Sequence, residues 1–478
     1  MADERRFDLI VIGSGAGGST AAFEAAGRGA KVAMIEQWLV GGTCLNAGCD
    51  PTKTLVRSAE IAHLARVSAR HGVSTGAPAI DWPAIRQHVA DVIDTIRGGD
   101  GDANVRKAGI ALIKAHGRFL SPTEVMAGGE RLIAEKIIIA TGARSKIPDI
   151  PGLADVGCLT NVDVPNLPVL PKSLAIIGGG TIGVEFAQIF TRLGVEVTLF
   201  GSRDRIMPRE DEELSLALQE ILEREGVRIE TGIKLTSVER AGGRKRIRGA
   251  RGEEAVSLDV DDILVAAGRE PAIEGLGLDK AGVETGPKGV VVNDYLCTTA
   301  PNIWAVGDVI GEYPFTHVAD YQARIAEHNA MSGLPPLRAN YKATPWVTFT
   351  DPELARVGLT EAEARAVHSD VVVGTVKMKD IARAITSGET EGFVKLIAKR
   401  STGEILGAHI LSAHGGELLP EIVLAMRNNL PVSVIADAIH ASPTFAEAVF
   451  WAAFSASRAE PLIEMRSGQI VAEPHLDS

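Results

Sequence analysis

The feature that most constrains the fold is a glycine motif that occurs twice. Residues 7–18 read FDLIVIGSGAGG and residues 173–183 read SLAIIGGGTIG. Each is an apolar strand that runs into GxGxxG and then into a helical pattern. A second apolar strand follows each motif, at 31–36 and at 195–200. One GxGxxG alone is weak evidence, but two with strands before and after them predict two dinucleotide-binding βαβ folds.

The first motif is expected to hold the pyrophosphate of a dinucleotide. Gly13, Gly15 and Gly18 let the backbone approach a phosphate at a helix N-terminus, where free N–H groups and the helix dipole favour anions. Glu36 stands at the end of the second strand, where a carboxylate accepts hydrogen bonds from a ribose diol.

The repeat has the same glycines but lacks the acid. Its glycines are Gly178, Gly180 and Gly183. The position that matches Glu36 is occupied by Gly201, and the chain continues as Ser202, Arg203, Asp204 and Arg205. An acid would repel a ribose 2′-phosphate, whereas serine and arginine donors attract one. The loop therefore predicts a preference for NADPH, with NADH also accepted. The alternative is that both arginines are solvated loop charges.

Composition limits the classes of partner. The chain has 478 residues, a net charge of -12 and four cysteines. Its length favours two to four domains. The negative charge disfavours nucleic acid and anionic membranes, and the basic run at 240–251 is interpreted as a solvated hairpin. The sequence shows no signal peptide and no apolar stretch of about 18 residues, so a cytoplasmic protein is expected. In that reducing compartment a close cysteine pair favours redox or metal chemistry.

The segment GGTCLNAGCDPTK at 41–53 is the most specific part of the sequence. It holds Cys44 and Cys49 with four residues between them, which is not a zinc spacing. The segment resembles the redox-active site of the class I pyridine nucleotide–disulfide oxidoreductases, which include dihydrolipoamide dehydrogenase, glutathione reductase and mercuric reductase. The resemblance extends from the first glycine motif to a C-terminal PTxxE box, and no resident metal is implied.

The resemblance implies an α/β fold with two Rossmann-like domains, which bind FAD and NAD(P)H, and a C-terminal α+β dimerisation domain. The expected boundaries are 1–155 for the FAD domain, completed by 288–340, then 156–287 for the NAD(P)H domain and 341–478 for dimerisation. It also implies a homodimer whose subunits share the active site.

Roles follow by matching positions to the family. Cys49 corresponds to the thiolate near the flavin, and Cys44 to the outer thiol of a redox-active disulfide. Lys53 resembles the lysine beside flavin N5, and Glu185 its ion-pair partner. The further FAD contacts implied are Thr43, Gly117, Thr141, Gly142 and Asp308, and Gly268 is implied on the NADPH side.

The C-terminal box departs from the family. Disulfide reductases of this family place a proton-donating His directly before Pro-Thr and a Glu five residues after that His. Here Glu447 is in place, Ser442 occupies the His position and His440 stands two residues early. The change disfavours lipoamide and glutathione disulfide. It suits an acceptor that needs no proton from the protein, such as a thiophilic metal ion, a quinone or oxygen.

Because of this departure the chain is more similar to the mercuric-reductase-like branch. It differs from mercuric reductases in its C-terminal EPHLDS, which contains no cysteine pair. Asp50, beside Cys49, is also unusual, and its carboxylate is expected to point outward. Three alternatives stay open. The first is a dihydrolipoamide dehydrogenase-type reductase that uses His440. The second is a flavin-only transhydrogenase or quinone reductase in which the cysteines have no role. The third is a non-catalytic flavoprotein subunit.

Overall fold

A computed structural model describes residues 4–458, which form two compact units. The C-terminal EPHLDS lies outside the described residues. The first unit takes the described residues up to Pro171, then Val238–Lys245 and Asp261–Asn340; the second takes Lys172–Ser237, Arg246–Val260 and the described residues from Tyr341 onward. Both the second glycine motif and the C-terminal segment thus lie in the second unit. The three expected domain boundaries stay a prediction.

The first unit is built on a five-stranded parallel sheet. Its strands are, in order across the sheet, Ile303–Ala305, Ile137–Ile139, Leu9–Ile12, Val32–Ile35 and Ala111–Ile113. The apolar run LIVI is buried at every position, as a strand covered on both faces must be. The strand order reverses between Leu9–Ile12 and Ile137–Ile139. In open parallel sheets such a reversal opens a crevice at the carboxyl ends of the strands.

Helices and smaller strands complete the first unit. The helices are Ala16–Gly27, Gly42–Ala47, Cys49–Val67, Trp82–Arg97, Gly101–Lys107, Leu153–Val156 and Thr316–Met331, with short 3₁₀ turns at Ser68–His71, Val164–Asn166, Leu278–Ala281 and Gly307–Ile310. A second sheet has the order Glu4–Arg6, Glu130–Ile133, Glu124–Ala127 and Arg118–Ser121. The remaining strands are Ala143–Ser145, Asp262–Val265, Arg269–Pro271, Thr285–Gly286 and Gly289–Val290.

The second unit repeats the parallel arrangement around the second glycine motif. Strand Ser173–Ile177 pairs in parallel with Glu196–Phe200, which pairs in parallel with Arg228–Glu230. Helix Thr181–Arg192 connects the first two of these strands, and helix Glu212–Arg224 precedes the third. Both expected strand–helix–strand units are therefore confirmed.

The C-terminal part of the second unit is an antiparallel sheet covered by helices. Its order is Pro345–Thr348, Glu353–Gly358, Ile405–Ser412, Phe393–Lys399 and Val371–Lys377. The last described helix, Glu447–Arg458, packs so closely on the edge strand that a Cβ at Gly374 would lie 2.0 Å from the carbonyl oxygen of Ala452. The other helices are Glu361–Val367, Ala382–Ser387, Gly415–Leu418, Pro420–Arg427 and Val432–Asp437, with a 3₁₀ turn at Met378–Asp380.

Two local expectations can be compared directly with the structure. The basic run lies on strands Lys234–Ala241 and Arg244–Arg251, joined at two glycines with positive φ, and strand Glu254–Val260 follows. The hairpin interpretation is thus confirmed. The apolar residues of the segment 52–70 (Leu55, Ala59, Ala62, Leu64 and Val67) predict a helix with one buried face. The helix buries Leu55, Ala59 and Ala62, but Leu64 is exposed, because it lies about 200° around the helix from Ala62. Among the described residues no helix is both long and apolar enough to cross a membrane.

Candidate active site

The first glycine turn is shaped by close backbone contacts. Gly13 has φ +104°, and a Cβ there would lie 2.3 Å from the carbonyl oxygen of Ala140. A Cβ at Gly18 would lie 2.0 Å from the carbonyl oxygen of Gly13. Around Gly15, in contrast, a Cβ would meet nothing within 4 Å. Two glycines therefore let the turn close, and the third faces open space at the N-terminus of helix Ala16–Gly27, where an anion is favoured.

Glu36 closes one side of this turn. Its carboxylate accepts hydrogen bonds from the backbone N–H of Ser14 at 2.9 Å, the Ser14 hydroxyl at 2.7 Å and the backbone N–H of Trp38 at 2.6 Å. The side chain is buried at the carboxyl end of its strand. These bonds fix the carboxylate at the edge where a ribose diol would lie.

The neighbouring strand ends contribute a second set of groups. The hydroxyl of Thr141 is buried and has no hydrogen-bond partner among the described residues, and Gly142 has φ +70° with open space around it. Asp308 lies 3.3 Å from the guanidinium of Arg269; burial raises the pKa of its carboxyl, against the pull of that arginine. An orphaned hydroxyl, open glycines and a polar carboxylate around one crevice fit a bound dinucleotide such as FAD.

Gly117 and Thr43 are two further residues that were predicted to contact FAD. Packing explains the glycine at 117, and for Thr43 the structure gives its position in a helix. Gly117 is buried, and a Cβ there would lie 3.3 Å from side-chain atoms of both Ile12 and Ile35. Thr43 is half-buried in helix Gly42–Ala47. Their contacts with FAD remain predictions.

The cysteine segment packs directly on the first glycine turn. The backbone N–H of Gly41 donates to the carbonyl of Ser14 at 3.1 Å, and a Cβ at Gly42 would lie 2.7 Å from the Cα of Gly15. Cys44 lies in helix Gly42–Ala47, and Cys49 is the first residue of helix Cys49–Val67. Both are half-buried free thiols. The pair therefore adjoins the crevice in its dithiol form.

Two helix N-termini converge on the sulfur of Cys49. One is that of its own 19-residue helix. The other belongs to helix Thr316–Met331, whose first residue places its hydroxyl oxygen 3.3 Å from Cys49 Sγ. The positive end of a helix and a hydroxyl donor both favour a thiolate.

The two thiols differ strongly in acidity. The pKa of Cys49 is lowered to about 6, chiefly because the Cys44 thiol donates a hydrogen bond to it, and further by the Thr316 hydroxyl and the charge of Lys53, while burial opposes the shift. The pKa of Cys44 is raised by that same hydrogen bond with Cys49 and by burial. At neutral pH Cys49 is the thiolate and Cys44 keeps its proton.

The charge of Asp50 acts on both thiols. Its half-buried carboxylate interacts electrostatically with both thiols and raises the pKa of each, although it is a minor contribution. The direction in which the carboxylate points stays a prediction.

Lys53 and Glu185 lie in different units. The ammonium of Lys53 acts on the Cys49 thiolate, as described above. Glu185 is buried on helix Thr181–Arg192, where its carboxylate accepts a hydrogen bond from the backbone N–H of Phe349 at 2.8 Å. Their pairing stays a prediction from the family.

The second glycine turn has the geometry of the first. Gly178 has φ +124°, a Cβ at Gly183 would lie 1.8 Å from its carbonyl oxygen, and a Cβ at Gly180 would meet nothing within 4 Å. The open space at Gly180 and the N-terminus of helix Thr181–Arg192 again suit a pyrophosphate. Gly268, with φ +114° and open surroundings, lies in the first unit.

The predicted phosphate donors of the second motif differ in accessibility. Ser202 and Arg203 are exposed. Arg205 turns toward its own loop and donates to the carbonyl oxygens of Pro208 at 3.3 Å and Glu210 at 3.5 Å. Ser202 and Arg203 therefore remain candidates for contact with a 2′-phosphate, whereas Arg205 shapes the loop.

In the C-terminal box the imidazole of His440 bonds Glu421 rather than Glu447. His440 Nε2 lies 3.1 Å from the carboxylate of Glu421, and its Nδ1 lies 3.0 Å from the carbonyl oxygen of Ala438. Glu447 instead accepts a hydrogen bond from the backbone N–H of Thr444 at 3.0 Å. Ser442 is exposed. His440 and Glu447 therefore do not form the His–Glu pair of disulfide reductases.

Thr316 is the site residue that the sequence analysis missed. It lies far from the cysteines along the chain and belongs to no glycine or cysteine motif. The one available signal was its position as the first residue of a helix that follows the AVGD segment at 305–308.

Comparisons with known proteins agree with this geometry. Residues 7–323 match the family described as pyridine nucleotide-disulphide oxidoreductase, and residues 344–453 match the dimerisation domain of that family. The chain is 36% identical over 442 residues to a mercuric reductase of Bacillus cereus, covering 92% of this chain and 70% of the relative. It is 37% identical over 447 residues to a dihydrolipoyl dehydrogenase of Chlamydia muridarum, covering 92% and 95%.

A solved structure is similar over nearly the whole chain. It is the Cu(II) complex of the HOCl-induced flavoprotein disulfide reductase RclA from Escherichia coli, with a TM-score of 0.86, 31% identity and coverage of 94% of this chain and 99% of that one. The two family matches and these relatives confirm the expected fold class of redox and dimerisation domains. The chain belongs to the pyridine nucleotide-disulphide oxidoreductase family, whose members are FAD-dependent enzymes with NAD(P)H as electron donor.

Proposed function

We propose that this enzyme passes two electrons from NADPH, through FAD and the Cys44–Cys49 pair, to a thiophilic metal ion such as Hg(II) or Cu(II). Its relatives include mercuric reductases, and the similar solved structure is a Cu(II) complex of a flavoprotein disulfide reductase. The observation that carries the proposal is the C-terminal box, in which Ser442 replaces the acid and His440 is held by Glu421.

The residues of the first unit have defined tasks in this scheme. When bound, FAD would supply the redox chemistry that carries two electrons from NADPH to the cysteine pair. The first glycine turn and Glu36 hold its adenosine diphosphate half, and Thr141 and Asp308 offer polar contacts nearby. The Thr316 hydroxyl and the Lys53 charge hold Cys49 as a thiolate. Glu185 is proposed to orient Lys53, as in the family.

Proton accounting favours a metal acceptor. When the dithiol is oxidised, the Cys44–Cys49 bond forms, two electrons leave, and one proton is released from Cys44. A mercuric ion takes both electrons, or two cupric ions take one each, and neither takes a proton. A disulfide acceptor must instead become two thiols, whose ordinary pKa of about 8.5 requires protonation at neutral pH. That reaction needs the acid that Ser442 cannot supply.

A dihydrolipoamide dehydrogenase-type reaction is the second candidate, because the chain is as similar to those enzymes as to mercuric reductases. It would require His440 to act as the acid. The bonds of His440 to Glu421 and to Ala438 disfavour that role. In a flavin-only transhydrogenase or quinone reductase, the two thiols, which differ strongly in pKa, would have no role in the reaction.

Assembly and location follow from the same proposal. The match to the family's dimerisation domain supports a homodimer. We place Ser442 and Glu447 of one subunit beside the cysteine pair of the other, as in the family. The exposed Ser202 and Arg203 support NADPH as the preferred donor. A pair that cycles between dithiol and disulfide suits the reducing cytoplasm.

Anaerobic stopped-flow reoxidation tests the acceptor. The protein, reduced with one equivalent of NADPH, is mixed with Hg(II), Cu(II), lipoamide, glutathione disulfide or a quinone. Reoxidation by a metal ion should exceed that by either disulfide. Ser442→His should raise lipoamide reduction toward the ~10²–10⁴-fold that a positioned acid contributes, and should leave metal reduction unchanged. Fast lipoamide reduction by the wild type that is lost in His440→Ala would refute the proposal.

A further inference from the structure

We infer that Arg356 and Lys395, on the antiparallel sheet of the second unit, are positioning residues for the loop at 201–211 and thereby maintain its selectivity for a ribose 2′-phosphate. This loop is called the coenzyme loop below. The inference rests on the proposed preference for NADPH, which places Ser202 and Arg203 in contact with that phosphate.

The coenzyme loop is attached to the glycine turn at its middle. The backbone N–H of Met207 donates to the carbonyl oxygen of Gly179 at 2.7 Å, and the hydroxyl of Ser215 donates to the carbonyl oxygen of Ile206 at 2.6 Å. Met207 has φ +44°, a left-handed conformation that a side chain with a Cβ rarely adopts. Such a conformation persists where the surrounding contacts over-determine it.

The first of these contacts is made to Glu210. Its carboxylate is buried and accepts a hydrogen bond from Trp346 Nε1 at 2.9 Å. The guanidinium of Arg356 lies 4.0 Å from the same carboxylate and 4.7 Å from the centre of the Trp346 ring, and it donates a hydrogen bond to the carbonyl oxygen of Arg209. Arg356 is itself buried and bonded to Glu363 at 2.7 Å. One sheet arginine thus bonds the backbone of the loop and lies beside the Glu210 carboxylate.

The second contact is made to Asp211. The ammonium of Lys395, with only 2% of the residue exposed, lies 3.0 Å from the Asp211 carboxylate, 3.0 Å from that of Glu361 and 2.6 Å from that of Glu213. Burial alone would lower the pKa of Lys395, but its hydrogen bonds to the three carboxylates raise it overall. The Asp211 carboxylate also accepts the backbone N–H of Glu361 at 3.3 Å. The lysine therefore stays charged and fixes the end of the loop.

Arg205 links the anchored end of the coenzyme loop to the predicted phosphate donors. Arg205 bonds the carbonyl oxygens of Pro208 and Glu210, so its guanidinium joins the anchored end of the loop to the segment with Ser202 and Arg203. Buried ion pairs contribute little net stability but can specify one geometry. Loss of an anchor should let the loop leave its left-handed turn and lose its alignment with the phosphate.

The test measures the affinity of the protein for a nucleotide that carries the 2′-phosphate and for one that lacks it. Calorimetry on the FAD-loaded protein compares 2′,5′-ADP with 5′-ADP, so the readout is independent of turnover. The wild type should bind 2′,5′-ADP at least tenfold more tightly. Lys395→Met should reduce this ratio on the order of tenfold, while Lys395→Arg, which keeps the charge, should retain it. Trp346→Phe, which removes the N–H donor to Glu210 and puts a smaller ring beside Arg356, should reduce the ratio in the same direction and serves if Lys395→Met does not fold.

Arg192→Met is the matched control. Arg192 is also a buried arginine of the second unit, bonded to Glu225 and Asp351, but it does not contact the coenzyme loop through these bonds. It should lower thermal stability and keep the wild-type ratio. Unchanged ratios in both Lys395→Met and Trp346→Phe, or an equal loss in Arg192→Met, would overturn the positioning role. A wild type that binds both nucleotides equally would overturn the NADPH preference itself, and this inference with it.

Discussion

The acidity of Cys49 offers a quantitative test of the site, through the hydroxyl of Thr316. That hydroxyl lies 3.3 Å from Cys49 Sγ and donates to the thiolate, whereas the neutral thiol gains little from it. Thr316→Val removes the donor and keeps the shape of the side chain. The substitution therefore destabilises the charged form, and the pKa of Cys49 must rise.

The size of the shift follows from the geometry. A hydrogen bond to a charged group contributes about 1.5–3 kcal/mol, and one pKa unit corresponds to about 1.4 kcal/mol. The bond is long and half-buried, so the lower end applies, or about one unit. The wild-type pKa of about 6 should move to roughly 7.

The assay is a pH titration of the thiolate–flavin charge-transfer absorbance in the protein reduced anaerobically by two electrons. The thiolate form is present above the pKa, so the band should disappear at a higher pH in Thr316→Val than in the wild type. Thr316→Ser keeps the hydroxyl and should titrate like the wild type. Identical midpoints for Thr316→Val and the wild type would refute the assignment of Thr316.

Three further predictions concern separate parts of the site. Asp50→Asn should lower the pKa of Cys49 in the same titration, since the carboxylate raises it; a rise would contradict the electrostatics. Arg203→Glu should increase KM for NADPH and leave that for NADH nearly unchanged, whereas a wild type that favours NADH tenfold would exclude this interpretation of the loop. Gly183→Ala should lower the melting temperature, because its Cβ would lie 1.8 Å from a backbone oxygen and overpacking costs about 1–3 kcal/mol. The matched Gly180→Ala, in open space, should keep the melting temperature and weaken coenzyme binding; equal destabilisation by the two would contradict the geometry.

The sequence predicted the parts of the fold that local chemistry determines. A positive φ at Gly13 and the close approach of Gly18 leave glycine as the one residue that fits, so the spacing of the motif reports the turn directly. Strand Leu9–Ile12 is buried on both faces, and its continuous apolar run shows this. The fold class followed from two such units and the family resemblance.

Contacts between distant segments were beyond the reach of sequence patterns. Thr316 joins Cys49 because two helix N-termini meet in the folded chain, and no spacing encodes that meeting. The pairing of His440 with Glu421 depends in the same way on how a loop lies against helix Pro420–Arg427.

The account depends most on Cys44 as the residue that gives electrons to the acceptor, and one substitution tests it. In Cys44→Ser the Cys49 thiolate should remain, so the oxidised protein should show the charge-transfer band without any reductant, and NADPH should still reduce the flavin rapidly. Steady-state reduction of Hg(II) or Cu(II) should then fall to the background rate. If Cys44→Ser keeps the wild-type rate of metal reduction, electrons leave directly from the flavin and the proposed route through the cysteine pair is wrong.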